Sequence, residues 1–321
     1  MRAFLITAVL LSLTLPSVAF AQEQSPIVQE YLVPSGTRPH DVAPAPDGGV
    51  WYTGQAKGVL GWLDPTSGEV RETPLGRGSA PHGVIVGPDG AAWITDGGQN
   101  AIVRVDPVTS EVRLFPLPIS NNANLNTATF DRFGILWFTG QSGVYGRVDP
   151  LSGEVRVWNA PRGSGPYGIR ATPDGSRVFY ASLAGSHIAE INLETGEATP
   201  IDSPTPAQGA RRVWTDSHGN VWVSEWNVGQ VGRYDPLTGE WREWKLPGAR
   251  PQAYAVYVDE RDKVWLTDFG GNAIVRFDPE TEAFDSFPLA QSGAAVRQLL
   301  GRAGETWGAE SGADRLVVIR F

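Results

Sequence analysis

The sequence contains no cysteine. Folds stapled by disulfides, thiol catalysis and cysteine-ligated zinc sites are therefore excluded. Hydrophobic burial has to hold the fold, and a chain of 321 residues is long enough for this, because a domain of roughly 300 residues buries about three quarters of its unfolded surface.

Long hydrophobic runs are scarce as well. The apolar run at residues 3–15 is too short to cross a bilayer of roughly 30 Å as a helix. It follows Arg2 and precedes Pro16 and an Ala-Phe-Ala triplet that ends at Ala21, a pattern typical of a secretory signal peptide. We expect cleavage after Ala21, a mature chain of residues 22–321, and a periplasmic or secreted location.

Positive charge is in the minority, with 26 Lys and Arg against 35 Asp and Glu and a net charge of -9. Loss of Arg2 with the signal peptide would make the net charge about -10. Recognition of nucleic-acid phosphates needs a basic surface, so nucleic-acid binding is excluded. We expect a monomer without a membrane span, whose partner is a small-molecule substrate or ligand.

The sequence repeats one unit about every 43 residues, a spacing typical of four-stranded propeller blades. Each unit holds an alternating apolar segment, an Asp-Gly type turn, a strand centred on an aromatic residue, a strand ending in Asp-Pro and a Gly-Glu hairpin. The period-two alternation predicts strands and excludes helical repeats of similar length. The central aromatic residues, which we expect to pack between blades, are Trp51, Trp93, Trp137, Phe179, Trp222, Trp265 and Trp307. The sequence thus predicts an all-β, seven-bladed β-propeller.

The ends of the chain predict how the ring closes. The last unit stops after its third strand, at residues 316–320, and lacks an outer strand. The isolated segment at residues 27–33 resembles the outer strands of the other units. We expect this N-terminal strand to complete the last blade, which hides an edge that would otherwise promote aggregation.

Equivalent positions of units arranged in a ring face one opening. The first strands begin with the column His40, His82, Asn126, Tyr167, Arg211, Tyr254 and Val296. Because the second strand runs antiparallel beside the first, its end should lie across from that column, at Gly54, Asp96, Gly140, Ser182, Glu225, Asp268 and Glu310. These side chains predict a polar mouth suited to a ligand or a metal. The alternative interpretation is a polar, water-filled channel without a binding function.

The histidines and Trp226 have different expected roles. His40 and His82 both follow proline on adjacent units, which predicts two neighbouring imidazoles with a functional role. His187 and His218 fall in predicted turns or loops, where we expect surface residues. Trp226, directly after Glu225, is expected beside the mouth.

The repeats resemble those of the streptogramin B lyases, also called virginiamycin B lyases, over essentially the whole mature chain. The resemblance is carried by PHGV at residues 81–84, WITD at 93–96 and NAIVR at 100–104, and again by WVSE at 222–225 and WLTD at 265–268. It implies a propeller that opens a cyclic depsipeptide antibiotic by elimination with help from Mg²⁺. A histidine base would abstract the proton α to the ester carbonyl, and a metal would stabilise the enolate.

The resemblance also implies site residues. The two family histidines match His40 and His82, with His82 as the base and His40 as an assisting group. The metal-associated glutamate falls at Asp96, while a second family glutamate and a tyrosine are replaced by Ala80 and Asn126. Glu310 is the candidate for the missing carboxylate, so Asp96 and Glu310 are the predicted ligands of Mg²⁺, with Ca²⁺ as an alternative. The predicted substrate-binding residues are Asn126, Tyr167, Arg211 and Tyr254.

Two other functions remain open at this point. A periplasmic propeller that binds a ligand or protein without chemistry agrees with export and with the replacements at Ala80 and Asn126. A calcium-dependent lactonase of the gluconolactonase type would use carboxylate and amide oxygens around a central ion. Its candidate ligands are Asp96, Asn126, Glu225, Asp268 and Glu310.

Overall fold

The computed structural model describes residues 25–321. In this part of the chain, seven four-stranded antiparallel sheets form the seven blades of a β-propeller, as predicted. The predicted signal peptide, residues 1–21, lies outside the described residues. Within residues 25–321 there is no helix with the length and apolar character needed to cross a membrane.

The strands are numbered in chain order, starting with β1 at Ile27–Leu32. Blade 1 contains β2–β5, at Pro39–Pro44, Val50–Gly54, Val59–Leu63 and Val70–Pro74. Blade 2 contains β6–β9, at Pro81–Val86, Ala92–Asp96, Ala101–Val105 and Val112–Pro116. Blade 3 contains β10–β13, at Leu125–Phe130, Leu136–Gly140, Val144–Val148 and Val155–Asn159.

Blade 4 contains β14–β17, at Pro166–Ala171, Val178–Ser182, His187–Ile191 and Ala198–Ile201. Blade 5 contains β18–β21, at Ala210–Thr215, Val221–Glu225, Gln230–Tyr234 and Trp241–Lys245. Blade 6 contains β22–β25, at Ala253–Val258, Val264–Asp268, Ala273–Asp278 and Ala283–Pro288. Blade 7 contains β26–β28, at Val296–Arg302, Glu305–Glu310 and Arg315–Arg320, together with β1.

Strand β1 closes the ring, which confirms the prediction made from the chain ends. It pairs antiparallel with β28 from Ile27 opposite Arg320 to Leu32 opposite Arg315. Tyr31 anchors this strand, because its ring stacks on Trp307 at 5.5 Å and its hydroxyl donates to the carbonyl of Pro65 in blade 1. Hydrophobic and polar contacts therefore tie the last blade to the first.

The repeated tryptophans form the core between blades. Trp137, Trp222 and Trp265 are at most 1% exposed. Burial of an indole requires a partner for its N–H, and an aspartate six residues earlier in the chain accepts it at 2.8–2.9 Å in these three blades. The Trp and Asp positions of the repeat thus hold the first two strands of a blade at a fixed spacing, which positions the start of the first strand.

Candidate active site at one end of the channel

A β-bulge at the start of every first strand shapes one end of the central channel. In blade 1 the register shifts between Pro39, opposite Gly54, and Val42, opposite Tyr52. A bulge breaks the strict alternation of side chains, so His40 and Asp41 are consecutive in sequence and still contact each other at 2.7 Å. The same shift occurs in the other six blades.

The structure brings the predicted column together with one correction. We call the seven residues that follow the first residue of each inner strand the channel ring; they are His40, His82, Asn126, Tyr167, Arg211, Tyr254 and Arg297. The prediction of Val296 was wrong, because Val296 pairs with Glu310 and packs in the hydrophobic core. The connection between β26 and β27 is one residue shorter than in blade 1, which moves the ring position to Arg297.

His40 and His82 are neighbours in this ring, with ring centres 3.7 Å apart. The Nδ1 atom of His40 lies 2.7 Å from Oδ1 of Asp41. Because an ionised carboxylate only accepts hydrogen bonds, this contact places the proton on Nδ1 and leaves the Nε2 lone pair of His40 free. The side-chain amide of Asn126 donates to Nε2 of His82 at 3.2 Å, so the proton of His82 lies on its buried Nδ1.

The environment keeps both imidazoles neutral. Burial lowers the pKa of His40 well below its ordinary value, and the charges of Arg212, Arg297 and Arg211 lower it further. Burial and the neighbouring His40 lower the pKa of His82, against a smaller opposing effect of Asp41. Neutral imidazoles at pH 7 can accept a proton, which is the requirement for a general base.

Asp41 is bound from across the channel by Arg212 of blade 5. The guanidinium lies 3.1 Å from Oδ1 and 3.3 Å from Oδ2 of the carboxylate, and it also donates to the hydroxyl of Thr127 at 2.9 Å. Both members of the ion pair are almost fully buried. Burial raises the pKa of Asp41, and Arg212 opposes that effect only in part. The pair fixes the carboxylate that orients His40.

Hydroxyl groups on the second strands connect neighbouring ring positions. Thr53 accepts a hydrogen bond from the backbone N–H of Asp41 at 3.0 Å and donates to the carbonyl of His82 in the next blade at 2.7 Å. Thr95 links Gly83 to the carbonyl of Asn126 in the same way. Each hydroxyl thus accepts a hydrogen bond from a backbone N–H at the bulge of its own blade and donates one to the carbonyl of the ring residue in the following blade.

An aromatic and cationic cluster completes the ring. The hydroxyls of Tyr167 and Tyr254 hydrogen-bond each other at 2.5 Å, and Arg211 donates to Tyr167 at 3.0 Å. Burial and Tyr254 raise the pKa of Tyr167 to about 12. Burial alone would raise the pKa of Tyr254 too, but Arg211 and Arg212 outweigh it and lower that pKa. Trp226 lies beside this cluster, 5.7 Å from the Tyr254 ring.

Comparison with known proteins places the chain in a family. Residues 17–249 match the profile of the Virginiamycin B lyase family, which is well over half of the chain. The chain belongs to the virginiamycin B lyase family. The resemblance of the repeats is thereby confirmed. A comparison with curated proteins finds no match.

Solved structures show the same fold. A streptogramin B lyase structure superimposes with a TM-score of 0.84 at 21% identity, covering 92% of this chain and 97% of that one. Virginiamycin B lyase from Staphylococcus aureus superimposes with a TM-score of 0.84 at 22% identity, covering 92% of this chain and 100% of that one. A catalytically inactive variant of the same enzyme with quinupristin gives a TM-score of 0.83 at 22% identity, with the same coverage.

In this member of the virginiamycin B lyase family, neither predicted metal-binding carboxylate belongs to the cluster of possible ligand atoms at the histidine pair. The carboxylate of Asp96 accepts hydrogen bonds from Ser79 and from the backbone of Ala80, Gly98 and Gln99, so it organises the loops at the end of β7. Glu310 is fully buried and its carboxylate has no hydrogen-bond partner within residues 25–321. Burial raises the pKa of Glu310 to about 7.

The lactonase-type set is not gathered around a common point either. Asp268 accepts backbone hydrogen bonds from Gln252 and Gly270, and Glu225 is buried against Gln230 in blade 5. Among the described residues, one group of three metal-ligating side chains has its ligand atoms within 4.8 Å of one another, and it consists of His40, Asp41 and His82. Asp41 was missed in the sequence because the bulge could not be seen there.

These three side chains could hold a metal ion, but their chemistry does not fit Mg²⁺ or Ca²⁺. Both hard cations favour sites built from several oxygen ligands, and this group offers two imidazoles and one carboxylate. Arg212 already occupies both oxygens of Asp41 and would repel a dication. Two imidazoles and a carboxylate are a donor set more typical of Zn²⁺.

The other two histidines lie outside the channel ring. His218 is exposed, with 76% of its side chain accessible, in agreement with the expectation of a surface residue. The same expectation was wrong for His187, which begins β16 and is 1% exposed. The strand, and not a turn, contains this residue, and its imidazole packs near Tyr180.

The opposite end of the channel holds an open cavity of about 680 Å³. Its lining includes Arg170, Trp214 and Tyr257 from consecutive blades, with the Arg170 guanidinium stacked 3.7 Å from the Trp214 ring centre. Aspartates that accept the core indoles, such as Asp131 and Asp259, form part of its rim. The cavity is therefore separate from the histidine pair and opens to the other face of the disc.

Proposed function

We propose that this protein is a carbon–oxygen lyase that opens an ester by elimination at the channel ring. The support is the pair of neutral imidazoles, of which His40 is oriented by Asp41 at 2.7 Å. A cyclic depsipeptide of the streptogramin B type is the first substrate to test, because the chain belongs to the virginiamycin B lyase family. The signal-peptide pattern supports export to the periplasm or the medium, and we propose action by a monomer on a small molecule.

The hydrogen bonds favour His40 as the base, whereas the resemblance had favoured His82. The Nε2 lone pair of His40 is free within the described residues, while His82 accepts the amide of Asn126 there. In the proposed step, Nε2 of His40 takes a proton from the carbon next to the one that carries the ester oxygen, where a neighbouring second carbonyl makes that proton acidic. The electrons of that C–H bond form a double bond to the β carbon, and the β carbon–oxygen bond breaks with its pair on the leaving carboxylate. No water is consumed.

His82 and Arg212 position this base. The imidazole of His82 packs against His40, and Arg212 holds the Asp41 carboxylate in place. As the imidazolium forms, Asp41 stabilises its charge through the existing hydrogen bond. A metal ion held by His40, Asp41 and His82 would occupy the Nε2 lone pair of His40, so the proposed proton transfer uses the imidazole without a bound metal.

The experiment compares the wild type with His40→Ala, His82→Ala and the surface control His218→Ala. Each protein is incubated with a streptogramin B, with and without added divalent metal or a chelator, and ring opening is followed by mass spectrometry. We expect loss of at least about a hundredfold in rate for His40→Ala, a smaller loss for His82→Ala, and no loss for His218→Ala. Equal rates for His40→Ala and His218→Ala would remove the proposed base.

A binding propeller without chemistry is the second candidate. The observation in its favour is burial, since His40, His82 and Tyr254 are at most 7% exposed and pack against one another. The replacement of a family tyrosine by Asn126 points the same way, because this amide occupies Nε2 of His82. Saturable ligand binding by the folded wild type with no product under any metal condition would favour this candidate.

A further inference from the structure

Two arginines of the channel ring lie beside one tyrosine without a carboxylate partner. The guanidinium carbon of Arg211 is 3.6 Å from the centre of the Tyr254 ring, and that of Arg297 is 5.9 Å from it. Neither forms a salt bridge with any carboxylate in the described part of the chain. Both are half-buried, whereas the imidazoles and Tyr254 beneath them are buried. A ligand that approaches this end of the channel therefore meets the two guanidiniums first.

The charge of this region is opposite to that of the protein. The channel ring contributes two guanidiniums, Arg211 and Arg297, while the deeper Arg212 is paired with Asp41, so two positive charges face the opening. The whole chain carries -9. A local positive field in a partly desolvated opening attracts and concentrates anions.

The arginines are also held in place before any ligand arrives. Arg211 is stacked between Tyr254 and Trp226, at 3.6 and 4.6 Å, and donates to the hydroxyl of Tyr167. Arg297 donates through Nε to Ser311 at 2.7 Å, which leaves the two terminal nitrogens of its guanidinium for a ligand. Holding two like charges together in a partly buried place is unfavourable unless something compensates them, and cation–π contacts compensate only in part.

We propose that the channel ring binds substrates through a carboxylate held by Arg211 and Arg297, so that the natural substrate of this protein is an organic acid with an oxygen substituent on its β carbon. This inference rests on the proposed lyase function and names its substrate class. Planar guanidiniums bind carboxylates through paired, charge-assisted hydrogen bonds. Pairing of the carboxylate with two guanidiniums stabilises the negative charge that develops when the neighbouring α proton is removed.

The reaction balances without a further reagent. Nε2 of His40 takes the α proton, the C–H electrons become the double bond between the α and β carbons, and the β carbon–oxygen bond breaks. The leaving oxygen keeps that electron pair and is protonated from water or by the imidazolium. The products are an unsaturated acid and an alcohol or second acid.

The test is calorimetric titration with malonate and succinate, at constant ionic strength, with malonamide and succinamide as neutral analogues. The variants are Arg211→Gln and Arg297→Gln. The matched control is Arg71→Gln, which removes an arginine stacked on Trp62 at 4.3 Å on the outer surface. Thermal unfolding and circular dichroism establish that each variant is folded.

We expect the acids to bind and the amides not to bind, with affinity for the acids lowered at least about tenfold in each ring variant and unchanged in Arg71→Gln. Amides that bind as well as acids, or an equal loss in all three variants, would overturn the inference. Failure of the acids to bind to a protein that opens a neutral ester would overturn the inference and leave the lyase function standing. If acids bind in an arginine-dependent way but the protein forms no elimination product, the lyase function is overturned and the carboxylate-binding site stands.

Discussion

Arg212 of blade 5 reaches across the channel to Asp41 of blade 1 and places its guanidinium 3.1 Å from the carboxylate that orients His40. Blades 1 and 5 are not neighbours in the ring. The pair therefore links two distant blades through the centre of the molecule and couples the stability of the propeller to the geometry of the proposed base.

Replacing Asp41 by Asn should cost about 3–5 kcal/mol of unfolding free energy, because Arg212 would remain buried without a charge partner. Urea unfolding measures the change. The control is Glu154→Gln, which breaks a surface pair with Arg156 at 2.7 Å whose side chains are about half exposed, and it should cost less than about 1 kcal/mol. Similar losses in both variants would mean that the channel pair contributes no more than a surface pair.

Replacing Thr53 by Val removes the hydroxyl and keeps the shape of the side chain, so the variant tests the two hydrogen bonds that the hydroxyl forms. The variant leaves the N–H of Asp41 and the carbonyl of His82 without their partner, and each unpaired buried group costs about 1–3 kcal/mol. Thr53→Ser keeps the hydroxyl and should stay much closer to the wild type in stability and turnover. If the Val and Ser variants behave alike, the hydroxyl does not hold the histidine pair.

The stability of the protein should fall as the pH rises from about 4.5 to about 8, owing to Glu225. This residue is fully buried, and burial together with Glu243 raises its pKa to about 8 from 4.5. Between these values the unfolded chain loses the proton and the folded protein keeps it, so a rise in pH favours unfolding. Glu225→Gln should flatten this slope in urea unfolding at several pH values. Glu154→Gln should leave it intact, and an unchanged slope in Glu225→Gln would refute the assignment.

Much of the fold could be predicted from the sequence because the repeat fixes it locally. The central aromatic residues, such as Trp137, and the turn residues follow a short-range pattern that recurs in every blade. Strand β1 is recognisable because its sequence resembles the outer strands of the other blades. The site was less accessible for two physical reasons. A bulge turns both His40 and Asp41 toward one contact, which strand alternation does not predict. A shorter turn in blade 7 puts Arg297 where spacing from Trp307 indicated Val296.

Arg212 illustrates the remaining limit. Its neighbour Arg211 was selected because it falls in the ring column, while Arg212 lies one residue deeper and has its partners Asp41 and Thr127 171 and 85 positions away. A small residue on the neighbouring blade 4 makes room for its backbone, because a Cβ atom at Gly168 would lie 2.6 Å from the Cα atom of Arg212. Such a contact depends on the closed ring and leaves no local pattern in the sequence.

The proposed chemistry is tested most directly by carrying out the reaction with a streptogramin B in water labelled with oxygen-18 and measuring the mass of the product by mass spectrometry. Elimination predicts a linear product of the same mass as the substrate, with a new double bond and no label, formed by the wild type and lost in His40→Ala. A product heavier by one labelled water would show hydrolysis and contradict the account.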